Sequence, residues 1–275
     1  MKKTLLTLVM ATLTGIVYGQ TDTIFTNNEK IACVVKEITT DAVKYAFVGE
    51  ELNNSIYKNA VHKIVFKNGR IQTFTEATSF KNVNSVNDYD NVTITQVEYE
   101  IKGLFKLGDA SSKAKGTTVL SNQERVKERA YRKLKIQAAI QGGNIIYLTN
   151  QRTEGNKFGS EYQSGSSTET NLTGIVYSNR LPSYDNFVKL VKTNTSYPAI
   201  QESKLYSSSS DLEQQVISKQ FSINSIVNEN GLIIINGQLE GVTKYSKFRV
   251  VSFTTNEFNI FYEDKSTVYN LKIKL

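Results

Sequence analysis

The chain has no tryptophan, one cysteine, one histidine and two prolines among its 275 residues. Each shortage removes a class of chemistry. The single thiol, Cys33, makes an intramolecular disulfide impossible and rules out a cysteine-rich metal site. The fold must therefore rest on burial. The single imidazole, His62, leaves no helical His-x-x-x-His pair, so a zinc site would need mostly carboxylates. No Asp or Ser stands near His62 at a spacing that suggests a triad, although a triad is a spatial arrangement. No phosphate-cradling glycine loop precedes a helix. Without tryptophan the chain lacks a residue that glycan-binding surfaces favour. Lysine and arginine are interleaved with acids, so the net charge of +7 forms no nucleic-acid footprint.

The chain begins Met1-Lys2-Lys3, continues through an apolar run from Leu5 to Val17 and reaches Val17-Tyr18-Gly19. This is the three-part layout of a secretory signal, and residues 1–19 are expected to be cleaved near Gly19-Gln20. The apolar run is too short and too interrupted by threonine to span a bilayer. No cysteine lies near the cleavage point to carry a lipid, and no later stretch resembles a membrane helix. Removing the first 19 residues takes two lysines and no acids with it, lowering the charge from +7 to +5. That balance suits ordinary solubility or, alternatively, contact with an anionic envelope surface. Asn-x-Ser/Thr sequons begin at Asn53, Asn91, Asn171 and Asn194. The signal is bacterial in layout, so these are expected to stay unmodified.

The rest changes character twice. Residues 20–81 read as a small β domain of five or six short strands, a bent sheet or half-barrel. Val43, Tyr45 and Phe47 alternate onto one face. Residues 61–67 and 70–74 are joined at Asn68-Gly69, whose tolerance of positive φ makes it a strong hairpin signal. The order of pieces resembles the small β-modules that open many exported Gram-negative proteins, and faintly an Sm- or SH3-like barrel. The polar stretch 82–91 reads as a linker.

Residues 92–180 read as an α+β domain. A strand over 92–99 is followed by a Gly-, Ser- and Lys-rich passage over 103–116 and then a helix. Ser121 and Glu124 fit a capping box. Val126, Ala130, Leu134 and Ala138 recur every four residues, with Tyr131 beside them, as one buried stripe. Glu128 and Arg132 are spaced for an i,i+4 ion pair, and Gly142-Gly143 ends the helix. A buried strand over 145–148, a loose loop over 153–170 and a strand over 172–177 complete the unit. The segment 121–149, with its Leu134-Lys135 helix, Ala138-Ala139, Gly142-Gly143-Asn144 turn and apolar strand, resembles small α+β envelope domains. These include the outer-membrane stress-sensor lipoproteins of the Rcs system and the small family labelled heavy-metal-binding. The resemblance covers about 25 residues and implies fold alone. The disulfide and lipid-anchor cysteines of the sensor lipoproteins are missing here, so neither sensing nor metal binding is carried over.

Residues 183–275 read as an antiparallel β domain. A short helix is expected over 185–192 and another near 212–217, with a flexible run or turn at 207–210. Strands over 221–228, 232–238, 244–253, 258–262 and 268–274 follow, separated by turns at Glu229-Asn230-Gly231, Thr255-Asn256 and 263–265. This predicts a curled sheet or small up-and-down barrel. The expected fold class is α+β, mostly β: an N-terminal bent sheet, a central β-α-β unit with one main helix and a C-terminal antiparallel meander.

Little in the chain suggests catalysis. His62 alternates with Ile64 and Phe66 and is expected to be half-buried. Cys33, in an apolar run, is expected to be a small buried residue. The adjacent acids Glu50-Glu51 and Glu263-Asp264 would be the raw material of a carboxylate pair, but both fall in turns. No catalytic, cofactor-binding or metal-binding residue is therefore assigned, and no cofactor. The expected function is that of an exported, non-catalytic protein in the periplasm or at the outer membrane, acting through protein–protein or cell-surface contacts. Its expected partner is an envelope protein or an anionic envelope surface, not nucleic acid. The alternative is a lipid or small apolar ligand held in the C-terminal domain, for which a cavity is required.

Overall fold

The computed structural model describes residues 21–26, 30–74, 80–161, 164–191 and 195–275. The expected signal segment, 1–19, and the sequon at Asn194 lie outside the described residues. The fold is α+β and mostly β, and no described helix is long and apolar enough to cross a membrane.

The N-terminal unit is one antiparallel sheet of β1 (Asp22–Thr26), β2 (Lys30–Ile38), β3 (Ala42–Phe47), β4 (Asn54–Tyr57), β5 (Val61–Val65) and β6 (Ile71–Thr73), in the order β4-β3-β2-β1-β5-β6. It curls around its own core of Ile24, Cys33, Val43 and Ile64, all fully buried. The curl is pinned by Asp22. Its carboxylate accepts from the Val35 amide on one side and the Lys67 amide on the other, both at 2.8 Å. The Asn68-Gly69 turn forms as expected, with Gly69 at φ +81° and Phe66 donating to the Arg70 carbonyl.

His62 departs from expectation. It is exposed while Ile64 is buried. Thr26 pairs with Val61 and Phe25 with Lys63, so His62 is the extra residue of a bulge and the alternation breaks there.

The central unit contains β7 (Thr93–Thr95), α1 (Glu98–Ile101), β8 (Phe105–Lys115), α2 (Gln123–Ile140), β9 (Ile145–Glu154) and β10 (Glu169–Ser178). Its sheet order is β7-β9-β10-β8, with β7 parallel to β9 and the other pairs antiparallel. The stretch 82–91, expected as a linker, is instead structured. It holds a 3-10 turn (Val86–Asn91), capped by Ser85 and Asp88, with Val86 buried against α2. The Gly-, Ser- and Lys-rich passage is an 11-residue strand, β8. Ala110, Ser112 and Ala114 face inward and alternate with exposed Lys113 and Lys115. The period of two is hidden because the inward residues are small rather than large and apolar. Their smallness lets α2 approach, and Ser112 Oγ donates to the Ala130 carbonyl at 2.8 Å.

β8 is an edge strand, and several of its outward backbone groups are occupied. Gln141 donates to the Asp109 carbonyl, Gln137 accepts from the Ser111 amide, and Arg129 donates to the Lys115 carbonyl. An edge partly covered in this way is a poorer template for pairing with another chain.

The N-cap of α2 is Asn122, not Ser121: its side chain accepts from the Arg125 amide at 3.0 Å. Ser121 Oγ accepts instead from the Thr118 amide. Glu128 is not the partner of Arg132, which reaches Asp211 at 3.0 Å. The expected stripe of Val126, Ala130, Leu134 and Ala138 is buried, and a second buried face carries Lys133, Ile136 and Ile140.

The C-terminal unit opens with α3 (Tyr184–Val191), followed by β11 (Ser196–Leu205), β12 (Glu213–Glu229), β13 (Leu232–Leu239), β14 (Lys247–Phe253), β15 (Glu257–Asp264) and β16 (Thr267–Lys274). The expected meander is present and closes, β16 pairing with β11, into a six-stranded antiparallel barrel. Asn230 and Gly231 both take positive φ in the first hairpin, as a two-residue turn between twisted strands requires. The helix expected near 212–217 is the start of β12, held in register with β11 from Lys204↔Glu213 to Gln201↔Val216. Ladder hydrogen bonds override local helix preference there.

Candidate functional site

The second face of α2 seats the helix on the barrel. Ile136, Ile140 and Val86 pack with Leu205 and Val268 from the barrel wall. A helix leaves its last carbonyls without intrahelical donors, and the barrel supplies two of the donors. Asn270 Nδ2 reaches the Ile140 carbonyl at 3.0 Å, and Arg249 Nη2 reaches the Gln141 carbonyl at 2.7 Å. Arg249 Nη1 also donates to the Leu107 carbonyl on β8. Arg249 as a whole is 7 % exposed, and its guanidinium lies 4.8 Å from the centre of the Phe261 ring. Burial pushes its pKa down to about 10, still far enough above neutrality to keep the charge. A cation at that place also complements the negative end of the helix. Lys133, whose pKa burial lowers, donates to the Ser207 carbonyl.

This docking creates a cleft of about 590 Å³ beside it. One wall is segment 82–87, the other is 178–182, and the floor is the outer face of the barrel. Nine amide side chains and five hydroxyl side chains line it, against three charged ones: Arg180, Glu257 and Lys272. Glu257 and Lys272 are paired at 3.2 Å, so the floor is close to neutral.

The floor is ordered by register. Ser252 stands opposite Asn259, Asn259 opposite Lys272, and Lys272 opposite Gln201, on four neighbouring strands. A parallel row runs Asn270, Ser203, Gln214. Some of these groups are already engaged: Asn259 donates to Ser252 Oγ at 3.0 Å and Gln214 to Ser203 Oγ at 2.9 Å. Asn144 cross-links the back of the cleft by bonding the Lys81 carbonyl and both the backbone and side chain of Asn179. Val83, Leu181 and Pro182 give the walls an apolar strip.

The candidates considered from sequence lie elsewhere. Cys33 is fully buried in the N-terminal core, and burial, with Asp22 nearby, pushes its thiol up to about 11. His62 is exposed on the same sheet, and Glu50 and Glu51 are exposed in a loop. Glu263 and Asp264 project to opposite sides of β15; Glu263 is exposed, while Asp264 turns in to accept from Tyr245 at 2.9 Å. Tyr245, Tyr262 and Tyr269 cluster at one barrel mouth, where Tyr262 stacks on Tyr269 at 4.6 Å. Buried Glu202 lies there too, held by Gln215 at 2.8 Å and Lys204 at 3.6 Å.

The barrel interior is filled by its own side chains. Phe221, Phe248 and Phe258 are fully buried, and α3 closes the other end with Phe187, 5.4 Å from Phe258. The cleft residues escaped sequence reasoning because Gln201 lay in no expected element and Asn259 and Lys272 were ordinary polar positions within expected strands. Comparison with known protein families, curated proteins and solved structures returned no match.

Proposed function

We propose that this chain is an exported, non-catalytic protein of the cell envelope that works through surface contacts made at the cleft between its central unit and its barrel. The observation that carries the reading is the make-up of that cleft. It is walled by two interlocked units, lined by groups that both donate and accept hydrogen bonds, and poor in groups that do chemistry. Its lining holds one carboxylate, Glu257, already paired with Lys272, and neither histidine nor cysteine. Acid–base catalysis needs a group with a free proton position and a matched partner, and this lining supplies none. Export rests on the layout of residues 1–19.

The test is site-specific photo-crosslinking in the native envelope. A crosslinker at Asn84, on the exposed cleft rim, is compared with one at Arg152, exposed on the central sheet. The proposal expects a reproducible envelope adduct from position 84 and none from 152. Equal labelling at both positions, or protein recovered from the cytoplasm with residues 1–19 intact, counts against it.

A further inference from the structure

Resting on that reading, we infer that the cleft binds a neutral, hydroxyl-rich chain, a short stretch of uncharged polysaccharide, laid across the outer face of the barrel. Three observations select this class. The first is charge. A phosphorylated or strongly anionic ligand calls for unpaired cations converging on it, but Lys272 is paired with Glu257 at 3.2 Å and only Arg180 remains, exposed on one wall. The second is the type of polar group. Carboxamides present a donor and an acceptor side by side, which matches the adjacent hydroxyls of a sugar ring, each of them also both donor and acceptor. Nine carboxamides line this cleft. Gln201 makes no side-chain hydrogen bond among the described residues, and Asn259, which donates to Ser252, keeps its carbonyl oxygen as an acceptor.

The third is spacing. Ser252, Asn259, Lys272 and Gln201 sit opposite one another on β14, β15, β16 and β11, so they repeat at the inter-strand distance of about 4.8 Å. A pyranose ring in a linear chain advances by a similar step, so one ring can meet one rung. An extended peptide advances by about 3.3 Å per residue, so it falls out of step with the ladder. The apolar strip of Val83, Leu181 and Pro182 offers a surface for the C–H face of the rings. With no tryptophan to stack on, recognition rests on hydrogen bonds, and binding is expected to be weak for each ring and to strengthen with chain length.

The experiment uses the mature chain and titration calorimetry or NMR with four probes: cellotetraose, N-acetylchitotetraose, tri-galacturonate as an anionic control, and an extended uncharged alanine–glycine peptide. The expected result is binding of at least one neutral tetrasaccharide, tighter than its disaccharide, with tri-galacturonate weaker. Gln201→Ala and Asn259→Ala, both on the barrel surface, should each weaken binding about fivefold and the double variant about twenty-five-fold, with thermal stability unchanged in Gln201→Ala and slightly lowered in Asn259→Ala, which loses its bond to Ser252. Gln201→Glu is the second variant and should also lower affinity for the neutral probe.

Absence of saccharide binding at about 10 mM, or binding unaffected by both barrel variants, overturns the inference. Peptide binding that the same variants abolish also overturns it, yet leaves the cleft as a contact site. Failure of every probe together with a blank crosslink at position 84 removes both readings.

Discussion

Arg249→Met tests whether the barrel and the central unit are one mechanical body. Methionine keeps most of the apolar stem and deletes both donors. It orphans the carbonyls of Gln141 and Leu107, which Arg249 reaches at 2.7 and 2.5 Å from a position only 7 % exposed. An orphaned buried acceptor costs about 1–3 kcal/mol. Against this, the guanidinium itself is relieved of its desolvation, which is the reason burial lowers its pKa. The net expected loss is about 2–3 kcal/mol. Arg249→Lys, which keeps a charge but reaches one carbonyl, should lose about half as much. Arg125→Met, exposed in the first turn of α2, is the control and should stay within about 0.5 kcal/mol of the parent.

The assay for Arg249→Met is urea unfolding followed by far-UV circular dichroism, since the chain has no tryptophan to report, combined with amide exchange. Exchange should rise in the last turn of α2 and in β8, and stay unchanged in the N-terminal sheet. A loss no larger than that of Arg125→Met, or increased exchange spread evenly over the chain, refutes the account of Arg249 as the clamp.

Three further outcomes follow from the geometry. Burial raises the folded pKa of the Cys33 thiol to about 11 from its ordinary 9.0, so its stability contribution is complete below pH 9. Above that the unfolded chain ionises first, and up to about 2 kcal/mol is lost as pH rises toward 11; pH-dependent unfolding of wild type against Cys33→Ala measures it, and parallel curves contradict it. Gly237→Ala should cost the barrel at least about 2 kcal/mol, because a Cβ would lie 2.2 Å from the Ser222 carbonyl oxygen. Gly69→Ala, which meets nothing within 4 Å but sits at φ +81°, should cost only about 1 kcal/mol, and thermal melts giving the reverse order would show the clash is relieved. Asp22→Ala should cost about 2 kcal/mol by releasing the Val35 and Lys67 amides together, with the loss confined to the N-terminal sheet in amide exchange.

Much of the fold was legible where local chemistry decides the conformation. The stripe from Val126 to Ala138 gave α2, Asn68-Gly69 and Asn230-Gly231 gave hairpins, and the alternation from 221 onward gave the meander. Legibility failed where a distant partner decides. β8 alternates alanine and serine inward, a period of two that shows only once α2 lies against it. The start of β12 has no local strand signal and owes its conformation to the ladder with β11. The extra residue at His62 exists because Thr26 and Phe25 skip it across the bulge. The cap moved from Ser121 to Asn122 because Ser121 is occupied by Thr118.

The cleft could not be read from the sequence at all, for a reason that bears on what it does. Its floor is the outward face of strands whose inward face fills the barrel, so Asn259, Lys272 and Gln201 look like any solvated strand positions. They become a lining only because Ile136 and Ile140 seat α2 nearby and Arg249 and Asn270 tie off its carbonyls. The polar rows and the clamp share strands: Asn270 serves the helix and Ser252 the floor, and Arg249 lies on β14 with Ser252. Loosening the clamp at Arg249 therefore widens the gap between segment 82–87 and the barrel without touching a lining residue. If the cleft is a binding site, Arg249→Lys should weaken ligand affinity although Arg249 touches no ligand. Loss of affinity from that substitution, with Gln201 and Asn259 intact, would distinguish a site made by docking from one made by the barrel alone.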